Sequence, residues 1–162
     1  MLNRNHTGAK VGMKVNLSRM RKVISFVIVS LLMFSILLPG CKKKEDEIDL
    51  VGVNIDVSLT DPSFADLNAV GGWVYISGGV RGIIIYRKSL DEFVSYERNC
   101  PYKPNDACAA VSVQSDNVSA KDNCCGSGFS ITDGGNVIQG PASRPLKQYA
   151  TSLHGNIVHI QN

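Results

Sequence analysis

Five cysteines are the residues of this chain best equipped for chemistry: Cys41, Cys100, Cys108, Cys124 and Cys125. A cysteine can carry lipid, close a disulfide, or ligate a soft metal as its thiolate. Cys41 stands apart, and the other four lie between positions 100 and 125. An even number in an exported domain favours disulfides, and four cysteines allow three pairings. Adjacent Cys124 and Cys125 do not bond each other without a strained ring, so two pairings remain. Both join the Cys100–Cys108 loop to the Cys124–Cys125 loop. A zinc site built from all four is met in spacing only, because adjacent thiolates crowd a tetrahedral ion. Of the histidines, His154 falls at the tip of the last hairpin and His159 in the final strand. Both read as surface or structural residues rather than ligands. No nucleophile–base pair and no paired carboxylates stand out, so nothing points to an enzyme.

Cys41 draws its meaning from what precedes it. Val23–Leu38 is a sixteen-residue run without a charge, and Met20-Arg21-Lys22 stands directly before it. A basic n-region and an apolar stretch of this length describe a secretory signal. A transmembrane helix needs ~20 apolar residues, and this run stops short at Pro39-Gly40. Leu38-Pro39-Gly40-Cys41 resembles the bacterial lipobox, which implies cleavage before Cys41 and acylation of that cysteine. Two or three acyl chains, each methylene contributing ~0.8 kcal/mol, anchor stably where one does not. Residues 1–40 thus read as a signal peptide, with Met20 the natural start. Six of the 17 basic residues and none of the 14 acidic ones lie there. Removing them leaves 11 basic against 14 acidic, so the mature chain is about −3 and carries no clustered basic patch for nucleic acid. After Cys41, residues 41–50 form a charged tether opening Lys42-Lys43-Lys44-Glu45-Asp46-Glu47. It is similar to the tethers of Bacteroidetes lipoproteins, in which such runs direct export to the cell surface. That similarity implies an outer-membrane, lipid-anchored envelope protein.

The elements that must position the four remaining cysteines are strands. Residues 51–162 contain short β-branched and aromatic runs separated by Gly, Pro, Asn and Asp, with no long helical period. Val53-Asn54-Ile55-Asp56-Val57 alternates as a half-buried strand does. Trp73–Ile76 and Ile83–Tyr86 flank the glycine-rich turn Ser77–Gly82. Phe93–Tyr96, Ala110–Val113, Phe129–Ile131, Val137–Ile138, Leu146–Thr151 and Asn156–Ile160 follow, with turns at Asp133–Asn136 and His154-Gly155. The reading is one small all-β domain, an antiparallel sandwich or barrel.

Three segments resemble one family. Cys100-Pro101-Tyr102, Cys124-Cys125-Gly126-Ser127-Gly128-Phe129 and Gly140-Pro141-Ala142-Ser143-Arg144-Pro145-Leu146 look like the two cluster loops and the tail of a Rieske domain. The resemblance implies a Rieske-like fold over residues 51–162. It also implies that each loop once offered one Cys and one His to a two-iron two-sulfur cluster. Cys100 matches the first cysteine ligand. Tyr102 stands at the first histidine, Asp122 at the second cysteine and Cys125 at the second histidine. Cys124 matches a non-ligand cysteine that pairs with the other loop in some members, which implies Cys108 as its partner. Iron–sulfur clusters take thiolate or imidazole ligands, so three of the four positions depart from the pattern. A second disulfide, Cys100–Cys125, would then replace the metal.

The expectation is therefore a membrane-tethered Rieske-like domain without cofactor, stapled by two disulfides. It would serve as a binding or structural module for an envelope partner. The alternative is a 2Fe-2S electron carrier with Cys100, Cys125, Tyr102 and Asp122 as non-standard ligands. The Ser77–Gly82 turn and the Pro101–Asp106 loop are the expected contact edges.

Overall fold

The computed structural model describes residues 47–162 and, before them, Arg21, Lys22, residues 24–26 and Ile28. Those six early residues are helical and exposed. No helix among the described residues is long and apolar enough to cross a membrane. Cys41, the lipobox and the lysine run lie outside the described residues. The chain divides into two compact units, Met1–Lys43 and Lys44–Asn162, and the second contains the strands.

Among the described residues ten strands form in chain order: β1 Asn54–Ser58, β2 Trp73–Ile76, β3 Ile83–Arg87, β4 Phe93–Glu97, β5 Val111–Val113, β6 Ser119–Asp122, β7 Gly128–Ser130, β8 Val137–Gln139, β9 Gln148–His154 and β10 Ile157–Gln161. They make two antiparallel sheets, a curled six-stranded one in the order β1-β10-β9-β4-β3-β2 and a four-stranded meander β5-β6-β7-β8. The all-β architecture expected from the turn spacing is the one observed. The β2–β3 hairpin closes around Ser77–Gly82 with Ile76 opposite Ile83. The last hairpin turns at Gly155-Asn156, one residue later than expected, and Gly155 takes a φ of +60° that a side chain would resist.

The hydrophobic pattern explains how the layers stack. Ile83, Ile84 and Ile85 are consecutive and all fully buried, so β3 is covered on both faces rather than one. Ile83 and Ile85 point into the curl of the large sheet with Val57, Leu67, Phe93, Val158 and Ile160. Ile84, with Val94 and Tyr96 of β4, points the other way onto Val111, Ala120, Phe129 and Ile131 of the small-sheet region. β3 and β4 therefore link two cores. Two elements were not expected. One is the 3₁₀ turn Pro62–Asn68, started by the Asp61 side chain accepting from Ser63 N at 2.8 Å and pinned by buried Leu67. The other is β6, whose Ser-Ala-Lys-Asp sequence lacks any β-branched residue yet pairs on both edges.

Candidate functional site

The first cysteine loop begins where β4 ends. Asn99 bridges to Ala110, and the Cys100 N–H donates to the Ala109 carbonyl at 3.1 Å. This leaves Cys100 fully buried at the base of the loop. The loop is then drawn tight by Asp106 N donating to Lys103 O, with Lys103 at φ +51°. The second loop begins at Asp122, the buried last residue of β6. Its Oδ1 accepts from Cys124 N at 2.7 Å and from Cys125 N at 3.4 Å, folding the chain back over the carboxylate. Gly126, at φ +80°, completes the turn by donating to the Asp122 carbonyl at 2.8 Å. Buried Ser127 then accepts from Ala142 N at 2.9 Å, which docks the Gly140–Leu146 tail against the loop. The tail also reaches the first loop, where Arg144 donates to the Pro101 carbonyl at 3.3 Å.

A Cys108–Cys124 disulfide ties the two loops together across a Cα–Cα distance of 5.7 Å, within the ordinary range for such bridges. The second bridge expected, Cys100–Cys125, is not made. Both residues are free thiols, and their Sγ atoms lie 3.8 Å apart, against ~2.05 Å for a bond. The Cys125 sulfur is held instead by polar neighbours. It lies 3.1 Å from Ser127 Oγ and 3.3 Å from Asp122 Oδ2, with the thiol proton available to either oxygen. Burial pushes the Cys100 thiol well above its ordinary pKa, and its hydrogen bond with Asp122 pushes the same way. The backbone N–H of Tyr102 opposes them. Cys100 is thus a protonated thiol around neutral pH.

Of the four residues at the implied cluster positions, Cys100, Asp122 and Cys125 converge, with one donor atom of each within 4.8 Å of the others. The Tyr102 ring packs against the core and lies 5.7 Å from the Lys103 ammonium. The two histidines among the described residues are committed elsewhere. His159 Nδ1 pairs with Asp56 at 2.6 Å across the β1–β10 ladder, and His154 Nε2 contacts Ser152 Oγ at 3.1 Å. The donor set is therefore two sulfurs and one oxygen. It does not fit a two-iron two-sulfur cluster, which takes four thiolate or imidazole ligands.

One residue escaped sequence reading altogether. Glu97 closes β4 fully buried. Its Oε2 accepts from Val80 N and from the Tyr149 hydroxyl, both at 2.7 Å, and its Oε1 from Arg81 N and Asn99 N, both at 2.9 Å. The carboxylate thereby ties the Ser77–Gly82 turn to the root of the cysteine loop. A Cβ on Gly79 would fall 2.1 Å from Glu97 Oε2, so glycine is required there. The turn is largely half-buried rather than the freely exposed edge expected. Arg81 Nη2 donates to the Asp106 carbonyl at 3.0 Å, joining this turn to the Pro101–Asp106 loop in one continuous edge. Lys103, Asn105 and Asp106 are exposed on it.

Such a curled sheet with a small meander bearing two tied loops is the Rieske fold. The solved plasma-membrane Rieske protein PetC3 of the cyanobacterium Synechocystis PCC 6803 aligns with a TM-score of 0.50. It is 24% identical, and the alignment covers 67% of this chain and 99% of that one. No protein-family model matches the chain, and no curated protein does. The likeness is one of fold.

Proposed function

We propose that this chain is a lipid-anchored envelope protein in which a Rieske fold serves as a disulfide-stapled binding or structural module, without the two-iron cluster. The donor set carries the reading. Two thiols and one carboxylate converge where four sulfur or nitrogen ligands would be needed, and that carboxylate already caps the turn carrying Cys125. The continuous edge formed by the Ser77–Gly82 turn and the Pro101–Asp106 loop is the surface offered to an envelope partner. The membrane address rests on the Leu38-Pro39-Gly40-Cys41 sequence.

Visible absorption of the anaerobically purified chain, with iron and sulfide analysis, tests the loss of the cluster. A colourless protein is expected. A brown one with about two irons per chain overturns the reading in favour of a 2Fe-2S carrier with non-standard ligands. Globomycin-sensitive processing and recovery in the outer-membrane fraction test the anchor, and a Cys41→Ser chain released from the membrane is the expected counterpart.

A further inference from the structure

We infer that Cys100, Cys125 and Asp122 form a mononuclear site for a thiophilic d¹⁰ divalent cation, with zinc(II) the fitting ion. The argument is geometric. Zinc bonds thiolate at ~2.3 Å, and a tetrahedral angle between two such bonds separates the sulfurs by ~3.8 Å. The observed Sγ–Sγ distance is 3.8 Å. A carboxylate oxygen at ~2.0–2.2 Å from the same ion would stand ~3.5 Å from each sulfur, and Asp122 Oδ2 lies 3.3 Å from Cys125 Sγ. Two sulfurs and one oxygen, unfit for an iron–sulfur cluster, match the three-ligand zinc centre that leaves its fourth position to water or a ligand.

The surroundings are arranged as an outer shell should be. Asp122 Oδ1 is fixed by the Cys124 and Cys125 amides, and Oδ2 faces the Cys125 sulfur. The Ser127 N–H points at Cys125 Sγ from 3.5 Å. Such a donor stabilises a thiolate ligand and fixes its orientation. Cys108–Cys124 keeps Cys124 out of the site, which removes the crowding of adjacent thiolates. Half-exposed Cys125 gives the entry path. On binding, both thiols give their protons to solvent, and two thiolates and one carboxylate face the dication.

Cobalt(II) reports directly on the full chain in detergent, reduced anaerobically under conditions that leave Cys108–Cys124 intact by mass. About one cobalt per chain, with thiolate-to-metal charge-transfer absorption and tetrahedral ligand-field bands, displaced by zinc, is expected. Replacing both Cys100 and Cys125 by serine should abolish the charge-transfer band. Asp122→Asn, which keeps an oxygen for the amides, should weaken binding by at least the ~10–100-fold typical of outer-shell changes. As a check independent of variant folding, zinc should slow maleimide labelling of Cys125 in the unaltered chain. No cobalt band in a chain whose two thiols are titratable, a band that survives replacement of both Cys100 and Cys125, or unprotected labelling overturns the inference. A colourless chain that fails these tests overturns this inference alone, whereas about two irons and two sulfides per chain overturn it together with the preceding reading.

Discussion

Glu97→Gln is the perturbation that asks most of the structure. Four donors, the amides of Val80, Arg81 and Asn99 and the Tyr149 hydroxyl, meet its two oxygens in a fully buried setting. Glutamine keeps the shape but turns one oxygen into an NH₂ group. If the NH₂ takes the Oε1 place, it meets two amide donors. If it takes the Oε2 place, the tyrosine hydroxyl can rotate to accept, but the Val80 N–H cannot. At least one buried amide therefore loses its acceptor in either rotamer. Hydrogen bonds to charged groups contribute ~1.5–3 kcal/mol, and an orphaned buried donor costs ~1–3 kcal/mol. The expected loss is thus ~2–3 kcal/mol in urea denaturation, with an unchanged slope. Tyr149→Phe removes one donor and leaves the carboxylate three, so it should cost only ~1–1.5 kcal/mol. The two substitutions should not add, because they share a partner. A Glu97→Gln loss below ~0.5 kcal/mol, or strict additivity with Tyr149→Phe, would refute the claim that this carboxylate holds the glycine-rich turn on the cysteine loop.

Other consequences follow from single contacts. Replacing both Cys108 and Cys124 by serine opens a link of sequence separation 16, and should cost ~3 kcal/mol in chemical denaturation. Phe129→Ala empties a fully buried site between the sheets and should cost ~3–5 kcal/mol by the same assay. His159 has its pKa raised chiefly by its hydrogen bond to Asp56. The raised folded value means the pair stabilises fully below the unfolded imidazole value of ~6.5 and loses that contribution as pH climbs through the folded one. NMR titration of Asp56→Asn should show His159 returning toward the ordinary range. Burial pushes Tyr96 up to about 12 and raises Tyr149 as well, the latter also through Glu97. Ultraviolet titration should therefore find these two phenols silent until alkaline unfolding.

How far the fold could be read in the sequence depended on whether each segment carried its own signal. Val53–Val57 alternates because only one face of β1 is covered, and the continuous isoleucines of β3 mark burial on both faces. β6 gives no such signal. Its strand state comes from pairing with β5 and β7, which no local propensity reports. Glu97 is hidden for the same reason, since its four donors come from positions 80, 81, 99 and 149. An acid at a strand end looks like a solvated charge until tertiary partners surround it. The cysteine site depended on both kinds of information. Resemblance pointed to positions 100, 122 and 125, but the sequence left open whether Cys100 and Cys125 bond. The fold resolves why they meet. Asn99 and Ala110 pin the base of one loop, and the Asp122 carboxylate curls the other. Once Cys108–Cys124 staples the loop tips, Cys100 at one root and Cys125 beside the staple face each other across 3.8 Å. The oxygens of Asp122 and Ser127 then hold the Cys125 sulfur at that separation. The spacing is too wide for a bond and suits two thiolates around a common ion, so the choice between the two lies with these oxygens as much as with the cysteines.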